Sequence, residues 1–217
     1  METAILSEIK QRDLYKTAFW LALFTIIYNI AEGLISTYFG FEDESLALFG
    51  FGLDSFIEVI SGLGIAHMVI RISKEPGRKR DQFEKTALRI TGFAFYILVA
   101  GLIVTSAIHI WTGHRPVTTI YGIVISAVSI LTMWALMAGK KKVGNKLHSE
   151  SILADANCTM VCLYMSVILL VSSAIYELTG FPYIDSVGTL GLAYFAFGEG
   201  RECFEKARTE KYCACDH

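Results

Sequence analysis

Six apolar runs, each long enough to cross a bilayer, constrain this chain more than any other feature. They lie near Thr17–Phe39, Ser45–Ile72, Thr86–Trp111, Pro116–Ala138, Ser151–Tyr176 and Tyr183–Phe204. A hydrocarbon core of ~30 Å is spanned by about 20 helical residues. The links between the runs are GFEDE, a basic KEPGRKRDQFEK, TGHR, a second basic stretch GKKKVGNKLHSE, and ELTGFP. Overall, 53% of residues are hydrophobic and 18% charged, with a mean hydropathy of +0.48. Ordinary soluble domains are about 45–50% apolar and about 25% charged, so the composition leans toward lipid. The expected fold is an all-α membrane protein, a bundle of six transmembrane helices.

Charge orients the bundle. Threaded as six helices, the chain puts every one of its 19 Lys and Arg on one side except Arg115. By the positive-inside rule that side, with both termini, is cytoplasmic. Five or seven spans would scatter these charges. Residues 1–16 are expected to form a cytoplasmic segment, residues 17–204 the membrane domain, and residues 205–217 a short cytoplasmic tail. The polar start shows no cleavable signal peptide, and the tail is too small for a core of its own. A net charge of -2 carries no nucleic-acid signature, and no enzyme's catalytic group is in view. All five cysteines fall in the membrane or on the cytoplasmic side, where a structural disulfide is not expected.

The second run, SLALFGFGLDSFIEVISGLG, carries Asp54 and Glu58 near its middle. A charge at bilayer depth costs at least about 2.5–3.5 kcal/mol, so such residues usually face a polar interior and act there. Four residues apart, the two carboxylates share one helix face. The fifth run repeats the pattern: Ser45, Asp54 and Glu58 are each followed 104 residues later by Ser149, Cys158 and Cys162. Repeats of this kind are common in transporters, with the site between them at mid-membrane.

Depth supports the pairing. At 1.5 Å per residue, Asp54 and Glu58 lie roughly 14 and 20 Å below the outer edge. Cys158 and Cys162 lie roughly 12 and 18 Å above the inner edge, which sets Asp54 level with Cys162 and Glu58 level with Cys158. Two oxygen and two sulfur ligands can close a tetrahedron around Zn²⁺, with Cd²⁺ or another thiophilic dication the alternative. Against this, a cysteine in a membrane helix is often a small apolar filler, and the acids can serve interhelical hydrogen bonds or ion pairs. Every Lys and Arg reads as lying near a surface, so the acids are expected to lack a cationic partner in the protein. A metal ion or protons would supply one.

Other residues admit two readings. Asp155, one turn below Cys158, either guides an ion from the cytoplasm or is a helix-end acid bonded to Asn157 or Ser151. Asn29 and Glu32 share a face of the first run, Glu32 lining an exit path or making a polar interhelical contact. Gly50, Gly52, Gly62 and Gly64 permit close helix approach. Cys203, Cys213, Cys215 and His217 either capture metal with soft ligands or are incidental.

SLALFGFGLDSFIEVISG resembles the second helix of the cation diffusion facilitator transporters, and HSESILADANCTMVC resembles their fifth. Asn29 and the stretch IDSVGTLGLAYFAFGEG are similar to parts of their first and sixth helices. The resemblance implies a homodimeric exporter of divalent metal ions, exchanging Zn²⁺ or a similar ion for protons across the cytoplasmic membrane. The chain departs from the family's usual pattern at Glu58, where Asp is usual, and at Cys158 and Cys162, where His and Asp are usual. The family's cytoplasmic domain is also missing, so the resemblance is to a small tail-less branch. A membrane-embedded metal sensor or store without turnover is the alternative. A dithiol redox protein ranks last, because Cys-x-x-x-Cys on a helix forms a strained bridge at best.

Overall fold

The structure, a computed structural model, describes residues 2–74, 82–113, 115–181 and 183–208. It contains six helices: α1 (Glu2–Glu42), α2 (Leu46–Lys74), α3 (Gln82–Thr112), α4 (Ile120–Leu147), α5 (Glu150–Thr179) and α6 (Ile184–Arg208). No strand occurs among the described residues. Helices α1 to α5 are long and apolar enough to cross a membrane. The 25-residue α6 is long enough by the same rise but carries more charge, including Glu199, Arg201, Glu202, Glu205 and Lys206.

Two boundaries differ from expectation. Helix α1 runs unbroken from Glu2, since its polar start is rich in good helix formers and has neither Gly nor Pro. The basic stretch after the fourth run is no loop: α4 continues through Lys140, Lys141, Lys142 and Lys146 to Leu147. The chain then reverses within His148, in the left-handed conformation at φ 48°, and Ser149, whose N–H returns to the Gly144 carbonyl at 3.0 Å. Gly144 allows the sharp return, because a Cβ there would lie 2.8 Å from Leu153 Cδ2. Lys140 is thereby built into a helix that faces the bundle.

Helices pair as α1 with α2, α4 with α5, and α3 with α6, while α2 also touches α3, α5 and α6. This makes α2 a central strut. At the outer ends, acids from one helix cap another. Asp185 of α6 accepts from Ser45 Oγ (2.6 Å) and from the Leu46 N–H (2.8 Å) at the start of α2. Glu177 of α5 accepts from the Thr118 hydroxyl (2.7 Å) and the Thr119 N–H ahead of α4. Each satisfies donors that a helix start leaves free.

Polarity is sorted for lipid outside. Ile27, Leu34, Ile97, Leu131 and Val171 point outward, whereas Asn29, Ser36, Asp54, Ser55, Ser126, Ser129 and Ser166 are buried. Small and polar residues at such interfaces let membrane helices approach and bond one another, as Ser129 and Ser166 do at 2.9 Å. One apolar cluster packs Leu48, Phe51, Leu98, Leu102, Leu169 and Leu192 in the outer part of the bundle and runs on through Leu88, Cys203 and Ala207 toward the other end. A smaller one, including Ala18, Met68, Val69, Val143 and Ile152, lies toward the cytoplasmic ends.

Candidate metal site

A narrow cavity of about 60 Å³ is lined by residues from all six helices, among them Asn29, Glu58, Leu88, Met133, Cys162 and Glu199. It has room for an ion with a few waters rather than an organic solute. Its lining runs from Asn29 and Glu58 to Lys140, Asp155 and Lys206 near the cytoplasmic helix ends. The apolar layer around Phe51 and Leu102 closes the outer side.

At the inner limit of that layer, Glu58 is the focus. Asn29 Nδ2 donates to its Oε2 at 2.8 Å, and the Cys162 thiol contacts its Oε1. Glu58 and Cys162 are the corresponding members of the two repeated patterns, 104 residues apart. The expected depths therefore need correction by one turn: Glu58 lies level with Cys162, not Cys158.

Asp54 lies one turn farther out and is 2% exposed. It does not line the cavity, and its Oδ1 has no hydrogen-bond partner. It is within electrostatic reach of Glu58, Glu199, Glu32 and the Cys162 sulfur. Such a buried oxygen, like Asn29 Oδ1 beside the cavity, is open to an ion or a water.

Cys158 does line the cavity but is engaged elsewhere: the Lys206 ammonium donates to its sulfur at 3.0 Å. Accordingly, among the described residues no three His, Cys, Asp or Glu side chains stand close enough to hold an ion between them. Glu58 and Cys162 are together, Asp54 is walled off by a turn, and Cys158 is turned to a lysine.

The expectation that every Lys and Arg lies near a surface is corrected at two residues, although neither forms an ion pair with Asp54 or Glu58 among the described contacts. Besides Lys206, the Lys140 ammonium lies 3.1 and 3.0 Å from the Asp155 oxygens and 2.9 Å from Thr159 Oγ1. Both lysines sit near helix ends, where water is the usual destination, but each finds acceptors inside the bundle. Asp155 is thus an ion-pair partner of Lys140. Glu32 makes the interhelical contact, accepting from Ser55 of α2 (3.0 Å), and also accepts from Tyr28 on its own helix (2.9 Å).

Helix α6 supplies two cavity residues absent from the expected set, Glu199 and Cys203. Cys203, grouped above with the tail, is buried in α6. The signal was present in the sequence: Glu199 and Cys203 are four apart, the same acid and thiol spacing that marked α2 and α5. Cys213, Cys215 and His217 lie outside the described residues.

The model of the cation efflux transmembrane domain matches residues 18–210, which take in all six helices except residues 2–17 of α1. Six helices around an acid- and sulfur-lined cavity, matched over nearly their whole length, make this chain a member of the cation efflux family of membrane transporters.

Proposed function

We propose that this multi-pass membrane protein exports a thiophilic divalent ion, Zn²⁺ foremost, in exchange for protons, with Asp54, Glu58, Cys158 and Cys162 as its ligands. The observation that carries the reading is the meeting of Glu58 with Cys162 in a cavity of ion size, between the two repeated helices. An oxygen and a sulfur presented together favour Zn²⁺ or Cd²⁺ over Mg²⁺ or Ca²⁺. Asp54 and Cys158 complete the set once Asp54's free oxygen turns inward and Cys158 leaves Lys206. Rocking of one group of helices against another around the site, as in alternating access, would accompany both changes.

Protons enter through the ligands themselves. A thiol or carboxyl must lose its proton to bind metal, so loading expels protons and unloading takes them up. The cytoplasm-directed lining fits a carrier that loads from inside and exports. Membership of a transport family favours turnover over storage. Two copies acting as a homodimer in the cytoplasmic membrane complete the reading.

The test is Zn²⁺ flux in proteoliposomes under an imposed pH gradient. Glu58→Gln and Asp54→Asn should each abolish flux in protein that still folds and inserts. Apparent Zn²⁺ affinity should rise between about pH 6 and pH 8 as bound protons cease to compete. Near-native flux in either variant, or pH-independent binding without proton release, overturns the reading.

A further inference from the structure

Lys206 occupies an unusual place for a lysine at the cytoplasmic end of a helix. Such side chains ordinarily extend toward water. This one turns back along α6 into the cavity, with its side chain 8% exposed. Its ammonium lies 3.0 Å from the Cys158 sulfur and 2.6 Å from Glu202 Oε1, one turn back on α6. Lys140, the other buried lysine, is held by Asp155 and Thr159 and bonds no candidate ligand.

A charged lysine has three donors and no lone pair, so it is no metal ligand. What it can do at a ligand sulfur is act as a cation. We infer that Lys206 is a tethered competitor for the transported ion: its ammonium holds Cys158 when the site is empty and must be displaced for the site to close around metal. The inference rests on the reading of Glu58, Cys158 and Cys162 as ligands.

Two consequences follow from the charge. A dication bound at Cys158 cannot share that sulfur with an ammonium, because the two positive charges repel at close range in a poorly screened interior. Only an ion with a strong bond to sulfur can evict the lysine, which discriminates against Mg²⁺ and Ca²⁺. When the ion leaves, Lys206 can reclaim the sulfur and oppose rebinding. A lysine beside a thiol also favours the thiolate, which works the other way. The bound metal, however, keeps the thiol deprotonated by itself, so in the loaded state repulsion is the effect that remains.

Zn²⁺ binding to the purified, detergent-solubilised protein tests this with Lys206→Met, which keeps the length and removes the charge, and Lys206→Arg, which keeps the charge. Lys206→Met should tighten Zn²⁺ binding by roughly tenfold, about one charge-assisted hydrogen bond no longer given up. Lys206→Arg should stay near native because the charge is kept, whereas a purely structural role would not predict tighter binding in Lys206→Met. In a Cys158→Ser background the tightening should shrink, since the contested sulfur is gone. Should Lys206→Met fold poorly, Lys206→Gln takes its place. Unchanged or weaker Zn²⁺ binding in a folded neutral variant overturns the inference, while weakened binding in Glu58→Gln and Cys162→Ser leaves the site reading standing. Native binding in Glu58→Gln and Cys162→Ser overturns both.

Discussion

Replacing Asp155 with Asn removes a negative charge while keeping shape, and its main effect should be on stability. In the native bundle the Lys140 ammonium rests between both Asp155 oxygens and the Thr159 hydroxyl, with its side chain only 3% exposed. The Asn variant leaves that charge with neutral acceptors. Removing one partner of a buried pair typically costs about 3–5 kcal/mol. Lys140 lies near the cytoplasmic end of α4 and can relax toward water, which argues for the low end, about 3 kcal/mol. For a chain of this size that corresponds to a fall of roughly 6–12 °C in Tm. Thermal unfolding in detergent measures it. Removing both charges, with Lys140→Met added, should recover at least half the loss, because no orphaned ammonium remains. A shift under about 2 °C for Asp155→Asn, or strictly additive losses in the double variant, would refute the assignment of Asp155 to a stabilising ion pair.

Other expectations are as direct. Replacing Cys158 with His and Cys162 with Asp should lower the preference for Cd²⁺ relative to Zn²⁺, and an unchanged transport ratio would remove sulfur from the ion's ligands. Gly52→Ala should cost about 1–3 kcal/mol in the same unfolding assay, since its Cβ would sit 2.6 Å from the Thr37 backbone nitrogen, which cannot swing aside. Glu177→Gln weakens the outer cap on α4 and should cost about 1 kcal/mol without altering Zn²⁺ affinity; altered affinity would mean the outer ends couple to the site.

How much was legible in advance follows from what is local. Helix number and sidedness come from apolar run length and from where the basic residues fall, both of which depend on the solvent each segment meets rather than on its neighbours. The meeting of α2 with α5 is read from their repeated pattern, 104 residues apart. The i,i+4 pairs are equally local, because helix geometry alone puts Asp54 with Glu58 and Cys158 with Cys162 on shared faces. Which members meet is a different matter. The pairing of Glu58 with Cys162 depends on how far each helix is pushed along its neighbour, and that is decided by contacts such as Gly52 on α1 and Asp185 on the start of α2. The direction of Lys140 and Lys206 depends likewise on acceptors supplied by α5 and by α6 itself. A lysine near a helix end reads as interfacial because water is its default partner, and only the assembled bundle, with Asp155, Thr159, Cys158 and Glu202 in place, offers it a better one inside.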